Sequence, residues 1–418
     1  MQRLRVGVIY GGRSSEHEVS VASAAAVLGH LDPARYESVP IRIDRDGGWS
    51  LPRRPPLEAS ARAVIEGAQH AAGGTGEGVA KGAGTRSDEA PVEAHLVAHP
   101  RRDTIVTLRH EGAAGGTGRH PGAGGVDEAA APPAEAAHPA TVAGLPLDVV
   151  FPVVHGPYGE DGTLQGLFEL VNVPYVGAGV LGSSVAMDKA VAKTLLAARG
   201  LPQVDHCVVA GPEWDADPGR VVARVEAALP YPVFVKPCNL GSSIGVSKAA
   251  SGKELRRGLA RAREFDRKLL VEAAVAEARE IECAVLGNDT PEVSVPGEIV
   301  PTGDFYDYDA KYLDDDPELI IPARLPAARA DAVREMAAEA FRAVEGAGMA
   351  RVDFLLSAAD DRLYVNEVNT IPGFTTISMY AKLWEASGLP YGALLDRLIE
   401  LALARHAARQ RLRTRVTD

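Results

Sequence analysis

The chain has 418 residues and a mass of 43.9 kDa, which suggests about two to four packed domains. Its hydrophobic fraction of 46% permits sizeable cores, although alanine inflates that figure and aromatics supply only 5%. The net charge of −12 argues against nucleic acid or an anionic membrane as the main partner, so any anionic ligand must meet a locally basic pocket.

No stretch approaches the roughly 20 apolar residues of a membrane span. Residues 1–12 run as a short strand into glycines, not as a charged segment before a long apolar core, which disfavours a secretory signal. Cys207, Cys238 and Cys283 are widely spaced and form no C-x-x-C, so a disulfide scaffold and a structural zinc site are both disfavoured. The expectation is a reduced, soluble, cytoplasmic protein.

In chain order, RLRVGVIY reads as an apolar strand, GGRSSEHEVS as a glycine turn, and SVASAAAVLGHL as a helix. Strand, turn and helix begin an open α/β sheet. RYESVPIRIDRDGGWSL adds a strand and a turn. From Ser50 to Val150 there is no Phe, Tyr or Trp, and Ala, Gly, Pro, Glu and His dominate. Such a composition buries too little apolar area to offset chain entropy. The insertion, about 53–145, is therefore expected to be mostly mobile and exposed. One island, DTIVTLRH at 103–110, suits a strand, in a hairpin with HLVAH before it. A linker or partner-binding role for the insertion is the alternative.

LDVVFPVVHG is a continuous apolar run, as a buried parallel strand requires. A helix over DGTLQGLFELVNV, a strand and turn at VPYVGAG, and a helix over SSVAMDKAVAKTLLAARG with Ser183 or Ser184 as N-cap follow. Strands and helices alternate from YPVFVKP to VNTIPGF, and an amphipathic helix, LLDRLIELALARHAARQRLR, closes the chain. Its basic end suits a helix C-terminus.

Four clusters carry chemistry. In PVFVKPCNLGSSIGVSK a strand delivers Lys236 into a Gly/Ser-rich turn, whose backbone N–H groups and the hydroxyls of Ser242 and Ser243 can ring a phosphate. The spacing is not that of a P-loop, and a polar hairpin with a salt-bridged lysine is the bland alternative. In ARVDFLL and LYVNEVNTIPGFTTIS, Arg351 and Asp353, then Glu367 and Asn369, stand at i, i+2, so each pair faces one side of its strand. Asp353, Glu367 and Asn369 beside a phosphate pocket suit Mg²⁺; a solvated face is the bland alternative for such a pair, disfavoured by the flanking valines and leucines and the NTIPGF turn. HGPYGEDGTLQG places His155 and an acidic loop at a strand C-terminus, the usual place for ligands in open α/β sheets, although His155 could equally cap a strand or helix. In GGRSSEHEVS, Glu18 could meet a substrate ammonium. Equally, Ser14 or Ser15 suit an N-cap, with Glu16 and Glu18 at the helix's positive end.

Together these segments, with MDKAVAK and YDYDAKY, resemble in order the D-alanine–D-alanine ligases of the ATP-grasp superfamily, over about residues 4–52 and 146–405. The resemblance implies an α/β fold: an N-terminal open parallel-sheet domain over 1–183 carrying the insertion, then a two-lobed ATP-grasp unit with a central lobe over 184–271 and a C-terminal lobe over 272–418. It implies ATP-binding roles for Lys189, Lys236, Ser243, Glu280 and Lys311, and an edge strand at Val271 and Glu272 that contacts adenine. The family often has a lysine where Ala273 stands. Asp353, Glu367 and Asn369 match ligands of two Mg²⁺ (or Mn²⁺) ions.

On the substrate side, Glu18 matches the carboxylate that receives the first D-alanine's ammonium, and His155 a histidine near it. Ser242 and Tyr312 match the partners of that glutamate in a hydrogen-bonded triad. Arg351 and the Gly373 N–H match the groups at the developing oxyanion, and Ser378 and Met379 those that hold the second D-alanine's carboxylate. The segment 303–322 matches a closing lid, and its AKY favours a dipeptide over an alanine–lactate ester. The implied reaction activates one D-alanine as an acyl phosphate and captures it with the amine of another, for peptidoglycan precursors. ATP and D-alanine are the implied small-molecule partners, in a homodimer.

Overall fold

The computed structural model describes residues 3–52, 54–56, 63, 92–96, 105–110, 140–300 and 318–413. The first sheet is built from β1 (Leu4–Gly11), β2 (Tyr36–Ile43), β3 (Trp49–Leu51), β4 (Val92–Leu96), β5 (Ile105–His110), β6 (Ala140–Leu145) and β7 (Val149–Pro152), in the order β6-β5-β4-β3-β2-β1-β7. β1 lies parallel to both β2 and β7, while β3 to β6 add antiparallel strands at one edge. The apolar runs of β1 and β7 are buried, as parallel strands covered on both faces must be. Helix α1 (His17–His30) packs on β1, and α2 (Thr163–Val171) follows β7.

The hairpin expected from HLVAH and DTIVTLRH is present as β4 and β5. β6 extends it further. The described part of the insertion thus contributes three strands to the sheet, the expected hairpin and β6; the expectation of mobility falls on residues that lie, for the most part, outside the described ones.

The single helix expected over SSVAMDKAVAKTLLAARG is two, α3 (Val180–Met187) and α4 (Lys189–Ala198). Neither Ser183 nor Ser184 is an N-cap. Asp188 breaks the run with extended backbone and caps α4, its side chain accepting from the Val191 N–H at 3.1 Å. Ala186, Ala192 and Leu196 pack into the core of the third sheet, so residue 184 lies inside a helix that serves that core.

The second sheet has four strands: β8 (His206–Ala210), β9 (Val233–Pro237), β10 (Ser247–Ala249) and β11 (Lys268–Ala273), in the order β10-β9-β11-β8. Helices α5 (Gly211–Ala216), α6 (Pro218–Ala228) and α7 (Gly252–Arg263) accompany it, and α6 and α7 give its core Val221, Val225, Leu255 and Leu259. The third sheet contains β12 (Ala278–Gly287), β13 (Glu292–Val293), β14 (Gly297–Val300), β15 (Glu318–Ile320), β16 (Gly348–Ser357) and β17 (Leu363–Asn369). Its path is β15-β14-β12-β16-β17, with β13 on β12. It is backed by α8 (Ala327–Ala343), α9 (Met379–Ala386) and α10 (Tyr391–Gln410).

One apolar core joins the first sheet to the third. Val6, Val8 and Phe151 pack with Phe374, Tyr380 and Leu394, and the rings of Phe151 and Phe374 meet edge to face at 5.6 Å. This contact fixes the NTIPGF turn against the end of β7, beside His155.

Candidate active site

Two cavities meet between the sheets. One, of about 510 Å³, lies between the second and third sheets and is lined by Lys236, Ser243, Glu272, Glu280, Asp353 and neighbours. The other, of about 480 Å³, is lined by Glu16, His155, Glu160, Arg351, Asn369, Gly373, Ser378, Met379 and Lys382 among others. Lys189, Leu240, Gly241, Ser242, Glu282 and Glu367 line both and form their common wall.

In the first cavity β9 delivers Lys236 and β11 delivers Glu272. The Glu272 carboxylate, 3% exposed, sits 2.6 Å from Lys236 Nζ and 2.6 Å from Lys193 Nζ. Burial alone would raise the Glu272 pKa, but the two lysines outweigh it and hold the group down at about 2. Burial likewise works to lower the Lys236 pKa, and Glu272 reverses the direction. Lys236 therefore remains a cation in a buried site. β11 lies inside the sheet, between β9 and β8, so the edge strand expected at Val271 and Glu272 is an interior one whose C-terminal end opens into the cavity. Lys189 donates to the Leu240 carbonyl at 2.7 Å and stands 3.5 Å from Glu367. Ser242 and Ser243 both have left-handed backbone, at φ 47° and 56°, a strained turn of the kind found where loops hold ligands.

Strand register builds the acidic part. Glu282 on β12 pairs with Asp353 on β16, and Asp353 pairs with Glu367 on β17. Three carboxylates thus stand in a row across adjacent strands. Arg351 answers them: its Nε and Nη2 reach Asp353 at 2.7 and 2.6 Å, and Nε also lies 3.0 Å from Glu282. Burial works against its charge, but Asp353 and Glu282 raise its pKa further above the usual range. Among the described residues, no three His, Cys, Asp or Glu side chains form a ready-made metal cage. Asp353 and Glu367, with Asn369 two residues on, do fit a hard cation that draws its remaining ligands from phosphates and water.

On the substrate side the structure corrects one assignment. Glu18 lines neither cavity; it sits in the first turn of α1 and pairs with Arg45 at 2.5 Å. Glu16, just ahead of α1, accepts the hydrogen bond from the Ser242 hydroxyl and lines the cavity. Gly156, at φ 74°, makes room for it, since a Cβ there would lie 2.5 Å from Glu16 Oε2. Glu160 stands by with its Oε1 accepting from the Gly156 N–H at 2.6 Å. Burial, then the nearby Glu16 charge, pushes the Glu160 pKa up to about 8.

His155 is buried and engaged at both ring nitrogens, with Nδ1 3.0 Å from the Ile371 carbonyl and Nε2 3.0 Å from Ser23 Oγ. Burial lowers its pKa to about 4, against the Ile371 hydrogen bond, so the ring is neutral: Nδ1 donates and Nε2 accepts. It braces β7, α1 and the 371–374 turn. Ser378 stands at the N-cap position of α9 without a side-chain bond into the helix; its Oγ accepts instead from the Thr375 N–H at 3.0 Å.

Lys311 and Tyr312, with 303–317 of the lid segment, lie outside the described residues; the segment's far end is β15, whose Leu319 lines the second cavity. Sequence reasoning missed Glu16, Glu160, Lys193, Glu282 and Lys382. Glu282 carried a usable signal, because it stands at i, i+2 from Glu280 on one strand.

A family model described as the D-ala D-ala ligase N-terminus matches residues 5–178, and one described as the C-terminus matches residues 195–400. A D-alanine–D-alanine ligase of Heliobacterium modesticaldum is 44% identical over 411 residues, covering 98% of each chain. One from Listeria monocytogenes serotype 4b is 43% identical over 414 residues, again with 98% of each covered. Among solved structures, the D-alanine–D-alanine ligase of Coxiella burnetii superposes with a TM-score of 0.74 at 33% identity, over 98% of this chain and 97% of that one. The VanG D-Ala:D-Ser ligase of Enterococcus faecalis gives 0.73 at 29% identity, over 96% and 100%. With this coverage of both halves, the chain belongs to the D-alanine–D-alanine ligase family.

Proposed function

We propose that this chain joins two molecules of D-alanine while cleaving ATP to ADP and phosphate, and so supplies D-alanyl-D-alanine for peptidoglycan precursors. The observation that carries this reading is the common wall of the two cavities at Lys189, Ser242, Glu282 and Glu367. A phosphate entering from the nucleotide side meets there a carboxylate entering from the other.

The residues divide the work. Glu280 and the end of β11 take the ribose and adenine. Lys189, Lys236 and the Ser242–Ser243 turn hold phosphates. Glu16, in place of Glu18, takes the first D-alanine's ammonium and is tied to the phosphate-binding turn through Ser242. The first carboxylate then attacks the γ-phosphorus, giving an acyl phosphate and ADP. Ser378 and Met379, at the start of α9, hold the second D-alanine's carboxylate so that its neutral amine attacks the acyl carbon. Arg351 and the Gly373 N–H stabilise the oxyanion, a donor of this kind being worth roughly 3–4 kcal/mol. Collapse expels phosphate.

Two Mg²⁺ ions (or Mn²⁺), when held by Asp353, Glu367 and Asn369, supply positive charge to the transferring phosphate oxygens. On the family resemblance, Lys311 adds a phosphate contact, Tyr312 completes the triad with Glu16 and Ser242, and the 303–322 lid excludes water from the acyl phosphate. The same resemblance supports a homodimer working in the cytoplasm. Among the described residues no helix is long and apolar enough to cross a membrane.

ADP release with single amino acids tests the reading. D-Alanine alone should support turnover, L-alanine should not, and added D-lactate should give no ester. D-Serine belongs in the panel because one structural relative is named for it. ATP binding without D-alanine-dependent ADP release would overturn the proposal.

A further inference from the structure

We propose that Glu282 is a positioning residue that keeps Arg351 aimed at the reacting carbonyl when Asp353 turns to a divalent ion. The inference rests on the ligase reading above. Arg351 spends its guanidinium on two carboxylates that differ in their other duties. Both oxygens of Asp353 are engaged by Arg351, through Nε at 2.7 Å and Nη2 at 2.6 Å. A cation at Asp353 must take at least one of those oxygens. An arginine held by Asp353 alone would then be half released, in a site where its side chain is only 16% exposed and its charge needs a partner.

Glu282 supplies that partner from another strand. Register places it directly across from Asp353, on the side away from Glu367. Its Oε2 lies 3.0 Å from Arg351 Nε, it is 5% exposed, and it lines both cavities. Asp353 lies between the two other acids, with Glu367 on the metal side and Glu282 on the arginine side. Asn369, opposite Arg351 on β17, belongs to the metal side as well. Without Glu282, Arg351 would keep Asp353 as its ion-pair partner among the described residues and compete with the ion for it.

The test is a double-mutant cycle on the full chain with Glu282→Gln, Arg351→Met and the double variant, each checked for wild-type folding by circular dichroism. Two quantities are read: kcat with D-alanine, and the affinity for Mn²⁺·ADP by calorimetry. Glu282→Gln should lower kcat by about 10- to 100-fold and weaken Mn²⁺·ADP by about tenfold. In the Arg351→Met background it should change neither by more than about twofold, because the residue it acts through is gone. If Glu282→Gln yields no folded protein, Glu282→Met, uncharged and of similar length, takes its place in the same cycle. Additive losses in the cycle, or a Glu282→Gln enzyme within about twofold of wild type, would overturn the inference. A wild-type chain that forms no ADP with D-alanine would instead sink the ligase reading.

Discussion

Ser242 donates its hydroxyl hydrogen bond to Glu16 across a sequence separation of 226 residues, tying the turn proposed to hold phosphate to the start of the first helix. Two positions on, Glu18 looks equally suited in the sequence but pairs with Arg45, whose side chain is 59% exposed. The two glutamates therefore predict opposite outcomes. Glu16→Gln should cost about ten- to a hundredfold in kcat/KM for the first D-alanine, as the loss of a hydrogen bond to a charged group does. Glu18→Gln should cost less than about fivefold, because Glu18 lines neither cavity and its partner Arg45 is mostly in solvent. Steady-state kinetics on both variants decides, and a reversed order would restore Glu18 to the site.

The metal assignment predicts that Glu367→Gln cripples turnover. It removes charge from the proposed centre with Asp353 and Asn369, and about a hundredfold loss in kcat is expected at ordinary Mg²⁺, the upper end for charge at a metal site. Raising Mg²⁺ or Mn²⁺ should recover part of it. Near-normal activity without added metal would remove Glu367 from the ligand set.

Lys193 predicts a stability effect without direct contact with the chemistry. Its ammonium is 2% exposed and pairs with the equally buried Glu272. Breaking such a pair from one side costs roughly 3–5 kcal/mol where the other charge is left alone, and less here because Glu272 keeps Lys236 at 2.6 Å. Lys193→Met should lower the urea midpoint accordingly and weaken ATP binding, because Glu272 then bears on Lys236 alone. Unchanged unfolding by urea titration would show that the pair is not structural.

His155 predicts a pH dependence of stability. Its folded pKa of about 4 lies below its ordinary 6.5, so between those values the unfolded chain binds the proton and the folded one does not. Stability from this group is fully present above about pH 6.5 and declines as pH falls toward 4, by up to about 3 kcal/mol. His155→Gln should be less stable at pH 7 yet show a flatter loss across that window. Denaturant titrations at several pH values measure it, and an unchanged slope would contradict the assignment of a neutral ring.

Much of this site could be read from residue order, because strands impose a two-residue repeat. Arg351 with Asp353, and Glu367 with Asn369, fall on one face by that rule, and register then sets Asp353 beside Glu367. The same rule carries Glu280 to Glu282, but its meaning depends on which strand lies alongside, and no local pattern states that β12 neighbours β16. Glu16 and Glu18 cannot be separated by spacing either. What decides between them is where α1 begins, and the approach of Gly156 and Gly241 to Glu16. β6 was hidden for a different reason: ATVAGL has no apolar alternation, and its place is set by backbone pairing with β5. Nothing local sets Lys193 apart from any other helix lysine; α4 gives it its role by turning it toward Glu272.

The most direct test of the shared cavity wall follows an oxygen atom. D-Alanine labelled with oxygen-18 in its carboxylate is turned over with unlabelled ATP, and the released phosphate is analysed by mass spectrometry. If the carboxylate attacks phosphorus and leaves as part of phosphate, each dipeptide formed should send one labelled oxygen into phosphate. Phosphate free of label, with dipeptide still accumulating, would contradict an acyl phosphate formed where the two cavities meet.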